Sequence, residues 1–146
     1  MASKAAVRTP GKGTGQQVAL VKAALRASHA AYAPYSNYQV GAAVLCRDGT
    51  VFVGCNVENA AYPQSTCAEA SAIVMMIAAG EREIAEVLTV CDGEIIGTCC
   101  GGCRQRIREF ADLDTPIYAC GPDGMRAVFT LEGLLPHSFG PEHLLP

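Results

Sequence analysis

The sequence contains little charge, few aromatic side chains and no tryptophan. Of its 146 residues, 17% are charged and 6% are aromatic, whereas 50% are hydrophobic. So much apolar sequence with so little charge excludes an intrinsically disordered chain. The length fits one domain with a sizeable core and is too short for two ordinary domains.

A basic patch is also lacking. The formal net charge is −3 at pH 7, and the basic bias is confined to Lys4, Arg8 and Lys12. Proteins that bind nucleic-acid polymers usually carry a basic face or stripe. The composition therefore argues against a nucleic-acid polymer as the partner and favours a small-molecule substrate.

The chain has no apolar run long enough to span a membrane, and residues 1–17 lack the apolar core of a secretory signal. We therefore expect a cytoplasmic protein without a membrane partner. Its eight cysteines are then expected to be thiols or metal ligands rather than disulfides, because that compartment is reducing.

Hydrophobic periodicity and turn residues predict a flexible tail over residues 1–15 and a single α/β domain over 16–146. The predicted helices cover residues 17–29, 67–79, 103–110 and 131–135. The predicted strands cover residues 38–46, 50–55, 87–91, 116–120 and 125–129. The Asp48-Gly49 turn joins the first two strands as a hairpin, and helices separate later strands, which together predict a layered fold with a mixed sheet.

Two cysteine motifs stand where helices are expected to begin. Cys67-Ala68-Glu69 opens one helix, and Cys100-Gly101-Gly102-Cys103 opens another. The positive end of a helix dipole favours the thiolate over the thiol. Three thiolates that converge from two helix starts would form a tetrahedral zinc site with one open position, as is typical of a catalytic zinc.

Glu69 would lie near this metal ion without being needed as a ligand. A carboxylate there can take a proton from water and pass it to a ring nitrogen and a leaving amine. A ligand-x-Glu segment followed by C-x-x-C is the zinc-deaminase signature in its three-cysteine form. Each motif alone is less specific, because C-x-x-C pairs also occur in redox-active and structural sites. Cys99 offers a fourth thiolate next to Cys100, and a zinc ion with four cysteine ligands would have no open position.

With further segments, the sequence resembles the small homotetrameric cytidine deaminases from about residue 31 to residue 144. Besides the cysteine motifs, these segments are Ala33-Pro34-Tyr35-Ser36, Gly54-Cys55-Asn56-Val57-Glu58-Asn59-Ala60 and Ser138-Phe139-Gly140-Pro141-Glu142. The resemblance implies a three-layer α/β/α fold with a mixed five-stranded sheet, a homotetramer and one Zn²⁺ per subunit. It also implies hydrolysis of free cytidine and deoxycytidine to uridine and deoxyuridine plus ammonia, a reaction of pyrimidine salvage.

The resemblance further implies roles for individual residues. Cys67, Cys100 and Cys103 would bind zinc, and Glu69 would be the catalytic proton carrier. Asn56 and Glu58 match positions that hold the ribose 3′-hydroxyl, which suits an amide and a carboxylate. The remaining substrate-binding positions are Tyr38 (usually a base-stacking Phe), Val40, Ala68 and Thr98, and the positions that reach a neighbouring subunit's site are Ala60, Tyr62 and Phe139.

Two positions depart from the family pattern. Ala70 stands where many three-cysteine members carry an arginine that offsets the negative charge of the thiolates. Cys99 stands where a proline usually stiffens the turn, whose Thr98 carbonyl is expected to accept from the cytosine amine. We expect the helix dipoles and Arg104 to supply the missing compensation of charge, and neither departure removes a ligand or Glu69.

Two other functions stay open at this stage. A deaminase of another aminopyrimidine nucleoside, such as a blasticidin-like antibiotic, would share the fold and the metal site. A non-catalytic module stabilised by zinc would instead use Cys99 or Glu69 to close the metal site. A substrate panel distinguishes a deaminase of another nucleoside from a cytidine deaminase. A Glu69→Gln variant with unaltered properties would support the non-catalytic module.

Overall fold

The computed structural model describes residue 11 and residues 13–146. Of the expected tail, residues 1–10 and 12 lie outside the described residues. The first helix begins at Gly15, inside the predicted tail, because Thr14 and Gln17 form a reciprocal capping box. The helix predicted from residue 17 therefore begins two residues earlier than expected.

The chain alternates between helices and strands as its periodicity predicts. The elements are α1 (Gly15–Ser28), β1 (Val40–Cys46), β2 (Val51–Cys55), α2 (Ala68–Ala78), β3 (Ile84–Cys91), α3 (Gly101–Arg108), β4 (Pro116–Gly121), β5 (Gly124–Thr130) and α4 (Leu131–Leu134). Short 3₁₀ turns occur at Tyr62–Gln64 and Pro141–His143. Among the described residues, no helix combines the length and the apolar character that crossing a membrane requires.

The five strands form one mixed sheet in the order β2-β1-β3-β4-β5. β1 pairs antiparallel with β2 and with β3, β3 pairs parallel with β4, and β4 pairs antiparallel with β5. The parallel pair needs a crossover, and α3 lies in the connection that supplies it. The predicted mixed sheet is confirmed.

Helices cover both faces of this sheet. Successive residues of β1 point to opposite faces, so that Ala43 packs into the core beneath α1 and Val44 packs into the core beneath α2 and α3. The α1 side of the core includes Leu20 and Ala24, and the other side includes Met76 and Ile107. The three-layer α/β/α arrangement follows.

The start of α2 packs directly against β2 at Gly54. A side-chain carbon at this position would lie 2.5 Å from the carbonyl oxygen of Ala68 and 2.5 Å from the amide nitrogen of Ala72. Only glycine leaves room for this approach. The contact fixes where Cys67 and Glu69 emerge over the sheet.

Candidate active site

Two cysteines begin two different helices with nearly the same geometry. Cys67 is the N-cap of α2, with φ −74° and ψ 158°, and Cys100 is the N-cap of α3, with φ −66° and ψ 165°. Neither side chain caps its own helix. The thiols instead face each other, with their Sγ atoms 3.7 Å apart, where the positive ends of both helix dipoles meet.

Cys103 completes a cluster of three sulfurs. It is fully buried in α3, and the three Sγ atoms all lie within 4.8 Å of one another. Two sulfurs that are each ~2.3 Å from one tetrahedral zinc ion lie about 3.8 Å apart, close to the distance between Cys67 and Cys100. The cluster therefore fits a zinc ion, and these three cysteines could hold it.

Neither Cys99 nor Glu69 belongs to the cluster. The Cys99 side chain packs in the hydrophobic core beneath α2 and α3, and burial raises its pKa to about 12. Its sulfur therefore lies outside the group of donor atoms that could share one metal ion. The closed four-ligand arrangements that sequence reasoning left open are not formed.

The thiols of the cluster differ in how readily they ionise. Burial raises the pKa of Cys67, and burial together with the nearby Glu69 carboxylate raises the pKa of Cys103. Burial also opposes ionisation of Cys100, but hydrogen bonds from the Cys103 backbone N–H and from the neighbouring thiols bring its pKa below the ordinary value. Cys100 is therefore the thiol of the cluster that ionises most easily.

Glu69 lies in the first turn of α2 and is only 3% exposed. The hydroxyl of Thr89 donates a hydrogen bond of 3.0 Å to its Oε1. Oε2 accepts no hydrogen bond from the described residues, and the side chain lines the same cleft as Cys67 and Cys100. One carboxylate oxygen is therefore held and the other is available to a bound molecule.

The cleft has a volume of about 320 Å³, within the range of small-molecule sites. It gathers nearly all the residues that the sequence predicted for one chain. These residues are Tyr38, Val40, Asn56, Glu58, Cys67, Ala68, Glu69, Thr98 and Cys100. Cys103 is the exception, since it lies buried behind the wall of the cleft.

Asn56 and Glu58 are held in place by backbone groups at one end of the cleft. Asn56 accepts from the Val40 amide and donates to the Tyr38 carbonyl, both at 2.8 Å. Glu58 accepts from the Ser36 hydroxyl and from the amides of Tyr35 at 2.8 Å and Ser36 at 3.2 Å. These bonds, above all the one from the Ser36 side chain, lower the pKa of Glu58. Glu58 thus stays an acceptor, and one N–H of the Asn56 amide has no partner among residues 13–146.

The Tyr38 ring forms a wall of the cleft. Its hydroxyl lies close to Cys91, and a hydrogen bond with that thiol, together with burial, raises the pKa of Tyr38 to about 12. The hydroxyl is therefore protonated at neutral pH and points to Cys91, while the ring stays in the cleft.

Arg104 differs from expectation, because its hydrogen bonds go to the turn before Cys100 rather than to the thiols. Nε donates to the Cys99 carbonyl at 2.9 Å, Nη2 to the Thr98 hydroxyl at 2.9 Å, and Nη1 to the Leu134 carbonyl at 2.8 Å. The guanidinium thereby ties the turn to α4. It supplies stiffness where a proline is missing.

The residues predicted to reach a neighbouring subunit are exposed. Tyr62 lines an adjoining opening of about 430 Å³, which shares Asn56, Glu58 and Cys67 with the cleft. Ala60 is exposed beside it, and Phe139 stacks on His143 with ring centroids 4.8 Å apart. Phe139 lines neither opening, and the contribution of these residues to a second subunit stays a prediction.

Sequence reasoning missed two side chains that hold the acidic residues. Ser36 belongs to the Ala33-Pro34-Tyr35-Ser36 segment, to which the family resemblance gives no individual role, and Thr89 lies within a predicted strand. The available signal for Thr89 was a hydroxyl residue inside the apolar run 87–91. A buried hydroxyl needs a partner, but the sequence does not show that the partner is Glu69.

Comparison with known proteins gives a match to the cytidine and deoxycytidylate deaminase zinc-binding region over residues 14–119. This range includes Glu69 and all three cysteines of the cluster. The chain belongs to this family. Its membership agrees with a mixed five-stranded sheet and a three-sulfur cluster that could bind the family's zinc ion.

Individual deaminases of the family are similar along most of the chain. Cytidine deaminases of Halalkalibacterium halodurans and Sporosarcina psychrophila are 38% and 39% identical over 125 residues, which cover 86% of this chain and 95% and 92% of those proteins. The crystal structure of cytidine deaminase from Burkholderia pseudomallei has a TM-score of 0.79 and 40% identity, over 84% of this chain and 98% of that chain. The cytidine deaminase from Mycobacterium tuberculosis gives a TM-score of 0.73 at 35% identity, over 84% and 96% of the chains. The expected family fold is confirmed.

Proposed function

We infer that this member of the zinc deaminase family is a hydrolase that converts cytidine and deoxycytidine to uridine and deoxyuridine plus ammonia. The observation that carries this conclusion is the arrangement of Glu69. One oxygen of its carboxylate has no hydrogen-bond partner among the described residues, and it lies in a small-molecule cleft beside three sulfurs spaced for a zinc ion.

Cys67, Cys100 and Cys103 are proposed as the zinc ligands. When bound, zinc lowers the pKa of a water molecule and so makes a nucleophile available at neutral pH. The chain contributes two helix dipoles that favour the thiolates, and it leaves the fourth position free, because Cys99 points into the core.

Glu69 is proposed to move both protons of the attacking water. It accepts the first proton as the oxygen bonds to C4 of cytosine, and gives it to N3 of the ring. It then delivers the second proton to the amino group, so that the C4–N bond breaks and ammonia leaves. The oxygen of the water stays as the 4-oxo group of uracil, and the carboxylate is restored.

The other cleft residues are proposed to orient the nucleoside. The Tyr38 ring stacks on the base, and the Thr98 carbonyl accepts from the amine that will leave. Asn56 donates its free N–H to the ribose 3′-hydroxyl, whose hydrogen is accepted by Glu58. Val40 and Ala68 line the base site.

The active form is proposed to be a homotetramer in which Ala60, Tyr62 and Phe139 complete a neighbouring subunit's site. Large apolar side chains on the surface support an interface: Tyr62 is 72% exposed, and Val74 and Met75 of α2 are 63% and 57% exposed. Size-exclusion chromatography with light scattering should give a mass four times the 15.3 kDa of one chain. A monomer with full activity would contradict this assembly.

The proposed location is the cytoplasm, and the proposed partners are the nucleoside and copies of the chain itself. None of the eight cysteines forms a disulfide, which is typical of proteins in reducing compartments. The acidic net charge of −3 supports the absence of a nucleic-acid or anionic membrane partner.

A substrate panel tests the proposed activity. Zinc-loaded protein is given cytidine, deoxycytidine and a blasticidin-like aminopyrimidine nucleoside, and the ultraviolet change on deamination is followed. We expect turnover of cytidine and deoxycytidine. Turnover of the antibiotic alone would assign the second deaminase function, and no turnover of any of the three would favour a structural zinc module.

A further inference from the structure

β3 carries one buried hydroxyl in an otherwise apolar stretch. Val87, Leu88 and Val90 are at most 1% exposed, and Thr89 between them is 2% exposed. Its partners in the neighbouring strands are Ala42 and Ala119, whose methyl side chains cannot hydrogen-bond. Burial of a hydroxyl is unfavourable unless it finds a partner. Among the described residues, the Thr89 side chain has that partner in Oε1 of Glu69, at 3.0 Å.

The two side chains differ in their freedom to move. Thr89 is β-branched and sits in β3, which is paired on both sides in the middle of the sheet, so its rotamer is strongly restricted. Glu69 has a longer, unbranched side chain, and no other described residue hydrogen-bonds its carboxylate. A bond from the rigid partner therefore determines which carboxylate oxygen is occupied.

We propose that Thr89 is a positioning residue for catalysis: it holds Oε1 of Glu69 so that Oε2 faces the reacting base. This inference rests on the proposed role of Glu69 as the proton carrier. Thr89 acts through Glu69, and its loss is expected to slow the chemical step while leaving the nucleoside-binding groups at Asn56 and Glu58 intact.

The test is Thr89→Val, which removes the hydroxyl and keeps the β-branched shape. A hydrogen bond to a charged group contributes enough that its loss should lower kcat for cytidine about tenfold. KM should stay within about twofold, because the residues that bind the sugar and base are unchanged. Thr89→Ser restores the hydroxyl and should bring kcat back to within about threefold of the wild-type value.

Zinc content and melting temperature are measured for each variant, so that loss of metal or of folding is distinguished from loss of positioning. If Thr89→Val does not yield folded protein, Thr89→Ala replaces it, with the same expected fall in kcat. An unchanged kcat in a folded, zinc-loaded variant without the hydroxyl would overturn the proposal. So would an equal fall in the serine variant, since the hydroxyl would then not be responsible.

Glu69→Gln separates this proposal from the proposed function. If Glu69→Gln is inactive and Thr89→Val is unimpaired, the positioning role fails and the role of Glu69 stands. If Glu69→Gln keeps wild-type activity, the role of Glu69 fails, and the proposal for Thr89 fails with it. The double variant should be no slower than Glu69→Gln alone, because Thr89 acts only through that carboxylate.

Discussion

The orientation of Glu58 depends on the turn formed by Tyr35 and Ser36. Two backbone amides and the Ser36 hydroxyl all donate to its carboxylate. The same hydroxyl accepts from the Tyr38 amide at 3.0 Å. Ser36 therefore connects the proposed sugar-binding carboxylate to the chain that carries the proposed base-stacking ring.

Ser36→Ala should raise KM for cytidine about three- to tenfold, since Glu58 loses one of its three donors. Because the Ser36 hydroxyl bonds to Glu58 and not to Glu69, kcat should stay within about twofold. Steady-state kinetics check both values. Ser28→Ala is the control, because the Ser28 hydroxyl bonds to the Leu25 carbonyl within α1. A wild-type KM in Ser36→Ala would contradict the role of Ser36.

Besides the three-cysteine cluster, the described residues contain a second group of possible metal ligands. It consists of Cys46, Asp48 and Glu81, whose donor atoms lie within 4.8 Å of one another. Asp48 is already bonded to the amide and hydroxyl of Thr50, at 2.9 and 2.8 Å. Burial raises the pKa of Cys46 to about 11, with Asp48 and Glu81 adding to the shift. Cys46 ends β1 and Glu81 follows the end of α2, so no helix start favours a thiolate in this group.

We therefore predict one zinc ion per chain. Cys103→Ser should lose most of its bound zinc, because one of three thiolates is removed from the cluster. Asp48→Asn should keep the wild-type amount. Elemental analysis of dialysed protein measures both. Two zinc ions per wild-type chain, with one lost in Asp48→Asn, would show that the second group is also a metal site.

The sequence predicts the functional residues that lie close to one another along the chain. Cys67 and Glu69 are two positions apart, and Cys100 and Cys103 are three apart, so their spacing at helix starts predicts a shared site. The bond between Thr89 and Glu69 spans 20 positions, and that between Arg104 and Leu134 spans 30. Such pairs arise from tertiary packing, which periodicity does not describe.

At the level of secondary-structure elements, the turn between β3 and α3 depends on Arg104. All three nitrogens of its guanidinium donate hydrogen bonds, two to the Thr98-Cys99 turn and one to Leu134. A lysine offers one nitrogen and cannot reproduce this planar fork. The arginine thus couples α3, α4 and the turn that carries the Thr98 carbonyl.

Arg104→Lys should lower the free energy of unfolding by about 1–3 kcal/mol, because partly buried carbonyl groups lose their donors. It should also raise KM for cytidine, because the turn becomes looser. Urea unfolding and steady-state kinetics measure the two effects. The matched control is Arg106→Lys in the same helix, where the side chain is exposed. Equal stability of the two variants would exclude the clamp.

The first residues of some helices and strands are not predicted by hydrophobic periodicity. The order of helices and strands follows from periodicity, but β3 begins at Ile84 rather than at residue 87. Glu86 interrupts the apolar run, but it pairs with Leu45 of β1 and continues the strand. Likewise α3 begins at Gly101 rather than at Cys103, because Cys100 is its N-cap. Glycines in a first turn give no helical signal of their own.

For the molecule as a whole, Glu86 makes stability depend on pH. Its Oε2 is buried and has no hydrogen-bond partner among the described residues. Burial raises the pKa of Glu86, and a bond with Gln17 only partly opposes this. The unfolded chain then loses the proton at a lower pH than the folded protein. The contribution of Glu86 to stability is therefore greatest below the unfolded pKa and falls as pH rises through the folded pKa.

Glu86→Gln should remove this dependence. At about pH 4 the variant and the wild type should be equally stable, because the carboxyl is largely protonated in both states. At about pH 8 the variant should be more stable by about 1 kcal/mol, since no charge is buried. Thermal unfolding across this range measures the difference, with the exposed Glu83→Gln as control. A constant difference at all pH values would contradict the assignment to Glu86.

The measurement that tests the central claim most directly is kcat for cytidine in the zinc-loaded wild type and in Glu69→Gln, with zinc content determined for both. Loss of a positioned proton carrier should lower kcat at least about 100-fold while the zinc content stays the same. A Glu69→Gln enzyme that retains full zinc and turns over within about twofold of the wild type would contradict the role of Glu69 as the catalytic proton carrier.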